Sequence, residues 1–147
     1  MPHGFDTFEA GLRAGVETYH SLKRELKQDG LLGGVGDEGG FAPNLPANEE
    51  GLKYMVRAIE GAGYSTEEMG IALDVAATEF FHGEQYHIDG KKLTSEELSN
   101  LYSGWLDEYP ILSIEDGFAE DDWRGWSNFT KKEGHRVQTV GDDLFVT

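Results

Sequence analysis

Three acids stand where chemistry could use them: Asp74 ends the run Ile71-Ala-Leu-Asp74, Glu115 ends Ile111-Leu-Ser-Ile-Glu115, and Asp142 follows Val137-Gln-Thr-Val-Gly141. Each run is apolar or β-branched enough to seek burial, and each leads up to a carboxylate; after Glu115 a glycine, Gly117, breaks the run. The segments between have helical periodicity, and strands that alternate with helices imply a parallel sheet whose C-terminal ends share one edge. The three carboxylates are therefore expected to converge. Like charges held close repel, so they call for a cation, and an all-oxygen shell suits Mg²⁺.

The elements that must position these acids are legible in order. Asp6 and Glu9 have capping-box spacing, and Phe8, Leu12, Val16, Tyr19, Leu22 and Leu26 recur at helical intervals up to Gly30. This spacing predicts an amphipathic helix with those side chains as its apolar face. The stretch 31–46 has no periodicity, and Gly33, Gly34, Gly36, Gly39 and Gly40 surround Asp37-Glu38. Such a loop is functional or disordered, although Asp37-Glu38-Gly39-Gly40 taken alone reads equally well as a surface turn. Asn48 can cap a second helix through Leu52, Met55, Val56 and Ile59.

After the first strand, His82 to Ile88 reads as a small hairpin, with His82 and His87 as surface histidines because a metal site needs more converging ligands. Thr94 and Glu97 form a second capping box, opening a helix that Pro110 ends. Asp121 or Asp122 starts the last helix, whose Trp123, Trp126 and Phe129 read as core packing. The repeat is architectural, helix then strand. It amounts to less than half of a (β/α)₈ barrel of ~250 residues, so the expected fold is an incomplete TIM-type barrel, cut at both ends.

Composition narrows the function. The 147 residues suit one ordinary domain, with 38% hydrophobic and 27% charged residues as in a soluble globular protein. A net charge of −16 argues against a nucleic-acid or anionic-membrane surface. The chain lacks cysteine, which excludes disulfides and thiolate metal sites. No run approaches membrane-spanning length, and the first residues lack the basic start and apolar core of a signal peptide, so the sequence reads as cytoplasmic.

Four blocks in order carry a resemblance: Val35-Gly-Asp-Glu-Gly-Gly-Phe-Ala-Pro-Asn44, Ala72-Leu-Asp-Val-Ala-Ala-Thr-Glu-Phe-Phe81, Tyr109-Pro-Ile-Leu-Ser-Ile-Glu-Asp-Gly117 and Val140-Gly-Asp-Asp-Leu-Phe-Val-Thr147. They resemble consecutive motifs of the enolases, the phosphopyruvate hydratases of glycolysis, inside the C-terminal barrel domain. The resemblance implies reversible dehydration of 2-phosphoglycerate to phosphoenolpyruvate. It also implies that Asp74, Glu115 and Asp142 are Mg²⁺ ligands, that Glu115 and Asp142 contact substrate, and that Glu38 is the acid acting on the departing hydroxyl. The family's general base, a lysine on a later strand, has no counterpart in these residues, which implies that they are inactive in isolation. The family is typically a homodimer or larger, and a surface or secreted pool besides the cytoplasmic one is known in it.

Two other readings compete. A sister dehydratase or racemase would share the three-acid site but not the loop Gly36-Asp-Glu-Gly-Gly40. A non-enzymatic acidic module binding Ca²⁺ or a basic partner through its −16 charge would not need acids at strand ends.

Overall fold

The hydroxyl of Thr7 accepts the Ala10 N–H at 3.2 Å and thereby starts α1, Phe8–Gln28, one residue later than the Asp6 cap read from the sequence. The computed structural model describes residues 1–146. The chain forms two compact units, Met1–Gly70 and Ile71–Thr147.

In the first unit, the buried face of α1 matches the expected one at Leu26 but departs from it over the first turns. Gly11, Ala14, Thr18, Ser21 and Leu26 are buried, whereas Phe8 and Leu12 are 85% and 56% exposed, and Val16 and Tyr19 are also exposed. The reason is the partner. After β1 (Gly34–Val35) and β2 (Phe41–Ala42), α2 (Asn48–Gly61) packs along α1 through Leu52, Tyr54, Ala58 and Ile59. Close approach of the two helices favours small side chains over long ones; a Cβ on Gly61 would come within 2.7 Å of Ser21 Oγ. Asn48 is itself the first residue of α2, and the preceding Ala47 provides no side-chain cap. Polar ties flank this packing: Tyr54 donates to Asp29 at 2.6 Å, Tyr64 donates to Glu17, and Arg57 pairs with Glu25 and Asp29.

The second unit begins with β3, Ile71–Asp74. A 3₁₀ turn over Ala77–Phe80 leads to β4 (Phe81–His82), β5 (Gln85–Ile88) and β6 (Lys91–Leu93), an antiparallel sheet with one strand more than the expected hairpin. His82 and His87 are exposed, their rings edge to face at 5.5 Å. Thr94 and Glu97 form the expected capping box on α3, Ser95–Glu108. Then come β7 (Ile111–Glu115), α4 (Trp123–Glu133) with Asp122 as cap, and β8 (Gln138–Val140). The sheet order is β3-β7-β8, and both pairings are parallel. It is an arc, not a closed barrel.

Phe118 knits the core on one side of this sheet, with Tyr86, Tyr102, Trp126 and Phe129 rings around it. Truncating so buried an aromatic costs about 3–5 kcal/mol. Trp126 and Phe129 are buried as the sequence suggests, but Trp123 is 63% exposed. The polar ends of this core are satisfied: Tyr102 donates to the Gly117 carbonyl, Trp126 to the Ala119 carbonyl, and Tyr86 to Asp122.

Candidate functional site

Parallel pairing decides where the acids go. Asp74 and Glu115 are register partners at the C-terminal ends of β3 and β7, and Glu115 in turn pairs with Val140, two residues before Asp142. All three acids therefore lie at one edge of the sheet, on adjacent strand ends. Asp74 and Asp142 are exposed and Glu115 is partly buried.

The carboxylates feel one another. Partial desolvation first, then the charges of Asp74, Asp116, Asp142 and Asp143, hold the Glu115 carboxyl above the usual carboxylate range. Asp143 is raised likewise, by desolvation first and then by Asp116, Asp142, Asp74 and Glu79. Among the described residues no lysine or arginine forms an ion pair with Asp74 or Glu115. A mutually repelling, all-oxygen donor set of this kind fits a hard divalent cation such as Mg²⁺. Side-chain convergence goes less far than the sequence suggested. No three His, Asp or Glu side chains among the described residues already stand as a group that could grip an ion.

The turns beyond the strands are tightly tied. Val75 N–H donates to the Glu115 carbonyl, Ala77 N–H to the Asp116 carbonyl, and Asp116 N–H to the Val140 carbonyl. Ala76 and Asp116 both take left-handed backbone conformations, φ +46° and +44°. For residues other than glycine this is uncommon and clusters at functional sites. Asp116 is buried, and its carboxylate accepts the N–H groups of Asp142, Asp143 and Leu144. Sequence reasoning passed over Asp116. The one signal for it was a second acid directly after a strand-end acid and before a glycine.

Glu38 belongs to the first unit. It is exposed, at the tip of the hairpin formed by β1 and β2, where Gly36 N–H donates to the Gly40 carbonyl and Gly39 N–H to the Gly36 carbonyl. Gly39 needs its left-handed φ of +82° for this turn. Tyr19 of α1 secures the hairpin, stacking on Phe41 at 4.5 Å and donating its hydroxyl to the Gly39 carbonyl at 3.3 Å. So the stretch read as an aperiodic loop is a short anchored hairpin.

A parallel α/β arc with acids on successive strand ends defines a piece of (β/α) barrel architecture. Comparison with known proteins specifies it further. The family model "Enolase, C-terminal TIM barrel domain" matches residues 1–147, and the chain belongs to that family. Among curated relatives it is 52% identical over 150 residues to the enolase of a Nitratiruptor species, covering 100% of this chain and 36% of that protein. It is 52% identical over 149 residues to the enolase of Bifidobacterium animalis subsp. lactis (99% and 35%). It is 49% identical over 150 residues to that of Natranaerobius thermophilus (100% and 35%). The chain thus spans about a third of the length of these relatives. Among the described residues, no helix is long and apolar enough to cross a membrane.

Proposed function

We propose that this chain is the metal-binding part of a phosphopyruvate hydratase, which interconverts 2-phosphoglycerate and phosphoenolpyruvate with Mg²⁺. The reading rests on one observation above the others: Asp74 and Glu115 paired in register at parallel strand ends, in a chain matched end to end by the enolase barrel family. Asp74, Glu115 and Asp142 would hold the ion, and Glu115 and Asp142 would also face substrate. When bound, Mg²⁺ supplies positive charge that offsets the extra negative charge made when a proton is taken from beside a carboxylate.

Enolase-superfamily chemistry is itself the general example of pairing such metal ions with a Lys or His base. Here that base is proposed to lie in sequence beyond residues 1–147, and these residues alone are proposed to be inactive. Glu38 completes the other half. Loss of the C2 proton leaves an electron pair that expels the C3 hydroxyl, and a neutral Glu38 gives that hydroxyl its proton, so that it departs as water. A glycine-flanked tip lets the carboxyl approach a bound substrate closely. The working protein is proposed to be cytoplasmic and a homodimer or larger.

The test is conversion of 2-phosphoglycerate followed in the full-length protein with and without Mg²⁺. Mg²⁺-dependent formation of phosphoenolpyruvate is expected. Dehydration of a different carboxylate, with 2-phosphoglycerate untouched, would replace this reading with that of a sister enzyme.

A further inference from the structure

Asp116 is buried, at 3% exposure, yet its carboxylate faces main-chain N–H groups and, among the described residues, no side-chain cation: Asp142 N lies 3.2 and 3.3 Å from its two oxygens, Asp143 N 3.0 Å and Leu144 N 3.4 Å away. Its own backbone binds on both sides, accepting from Ala77 N–H at 2.9 Å and donating to the Val140 carbonyl at 3.0 Å. One residue therefore ties the turn after β7 to the turn that follows Asp74 and to the turn that carries Asp142. Its left-handed φ of +44° is what lets side chain and backbone serve different neighbours at once. Asp and Asn tolerate that region better than other residues with a Cβ.

We propose that Asp116 is a positioning residue: it touches neither metal nor substrate, and it holds the Asp142 turn and the turn following Asp74 against the end of β7. Three N–H groups converge on one carboxylate, and hydrogen bonds to such an acceptor are stronger than those between two neutral groups. Within itself the Asp142 turn is held by 3₁₀ bonds, from Phe145 N–H to the Asp142 carbonyl and from Val146 N–H to the Asp143 carbonyl. The link to metal binding rests on the function proposed above, whereas the restraint on the turn does not.

The experiment compares wild type, Asp116→Asn and Asp116→Gly in the full-length protein. Asn keeps the shape but turns an amide NH₂ toward N–H donors, and Gly keeps the backbone conformation while removing the carboxylate, so either variant suffices if the other does not fold. In metal-free buffer, amide hydrogen exchange at Asp142, Asp143 and Leu144 is expected to speed about tenfold or more, with Ile111 and Ile114 unchanged. Mg²⁺ affinity by calorimetry is expected to fall about 10- to 100-fold, the usual effect of losing a group that orients a ligand. Asp122→Ala, which removes the oxygen that caps α4 at the Gly125 N–H, should lower the melting temperature and leave Mg²⁺ affinity unchanged. Unchanged exchange at 142–144, or faster exchange with wild-type Mg²⁺ affinity, overturns the positioning role. Failure of the wild type itself to bind Mg²⁺ overturns the metal reading, and is seen before any variant is compared.

Discussion

Asp74 and Glu115 are direct register partners on parallel β3 and β7, so two carboxylates end side by side on the same edge of the sheet. Antiparallel strands would have sent them to opposite edges. The juxtaposition raises Glu115, by desolvation first and then by Asp74 and its neighbours, and a carboxyl in that condition has opposite effects on stability and on cation binding.

The stability effect has a definite sign. A raised carboxyl binds its proton more readily folded than unfolded, so folding is penalised once the pH rises through the raised value, and not below the ordinary value of 4.5. In EDTA, Glu115→Gln is expected to melt higher than wild type at pH 7 and to show no advantage at pH 4. Excess Mg²⁺ should reverse the order at pH 7. Thermal melts across pH, with and without the ion, check both halves, and a variant less stable than wild type in EDTA at pH 7 would contradict the repulsion.

Asp74→Ala removes a donor without touching Glu38. The Mg²⁺ concentration giving half-maximal turnover in the full-length protein is expected to rise at least about tenfold, the lower bound for weaker perturbations around a metal. A wild-type Mg²⁺ dependence would remove Asp74 from the ligand set.

Glu38→Gln separates chemistry from binding. General acid catalysis contributes about 10²–10⁴-fold, so kcat should fall by that much while Mg²⁺ affinity by calorimetry stays near wild type. If metal affinity fell as far as turnover, Glu38 would belong with the ligands.

Tyr19 holds the hairpin that bears Glu38, through the stacked Phe41 and the Gly39 carbonyl. Tyr19→Ala is expected to speed amide exchange at Gly36 and Gly39 and to lower kcat severalfold. Tyr19→Phe keeps the stacking and should lie between the two. Its hydroxyl is worth about 0.5–1.5 kcal/mol, so indistinguishable exchange in all three proteins would show that the hairpin holds itself.

Away from the site, Glu133 of α4 is buried and accepts from Arg136 at 2.6 Å and from Ser103 at 2.6 Å. The Arg136 hydrogen bond, with Ser103 and Lys132 adding to it, holds Glu133 below the usual carboxylate range despite burial. A depressed carboxyl stabilises the fold above its unfolded value near 4.5 and loses that contribution as pH falls through the folded one. Glu133→Gln should cost about 1.5–3 kcal/mol at pH 7 and progressively less below pH 4.5, as denaturant midpoints across pH would show.

Local features were readable in the amino-acid order because their causes are local. Apolar runs stopping on Asp74 and Glu115 became strands, Thr94 with Glu97 became a capping box, and Pro110 ended α3 at Glu108. The face of α1 was misread for the same reason. Hydropathy favours Phe8, Leu12 and Val16, but burial followed Gly11, which faces Pro2 and Phe5, and Ala14, Thr18 and Ser21, because α2 packs on the small-residue face. Periodicity fixes the spacing of a stripe and says nothing of what lies opposite it.

The sequence by itself thus determined the three parallel strands, most helix boundaries, the four family motifs and the identity of the candidate acids. Only the tertiary structure decided that Asp74 and Glu115 are neighbours, that Tyr19 anchors the Glu38 hairpin, and that Asp116 gathers the amides of residues 142–144. Each of these relations joins residues far apart in the chain. Register and long-range hydrogen bonding are set by how the packed elements meet, and no short stretch of residues contains that information.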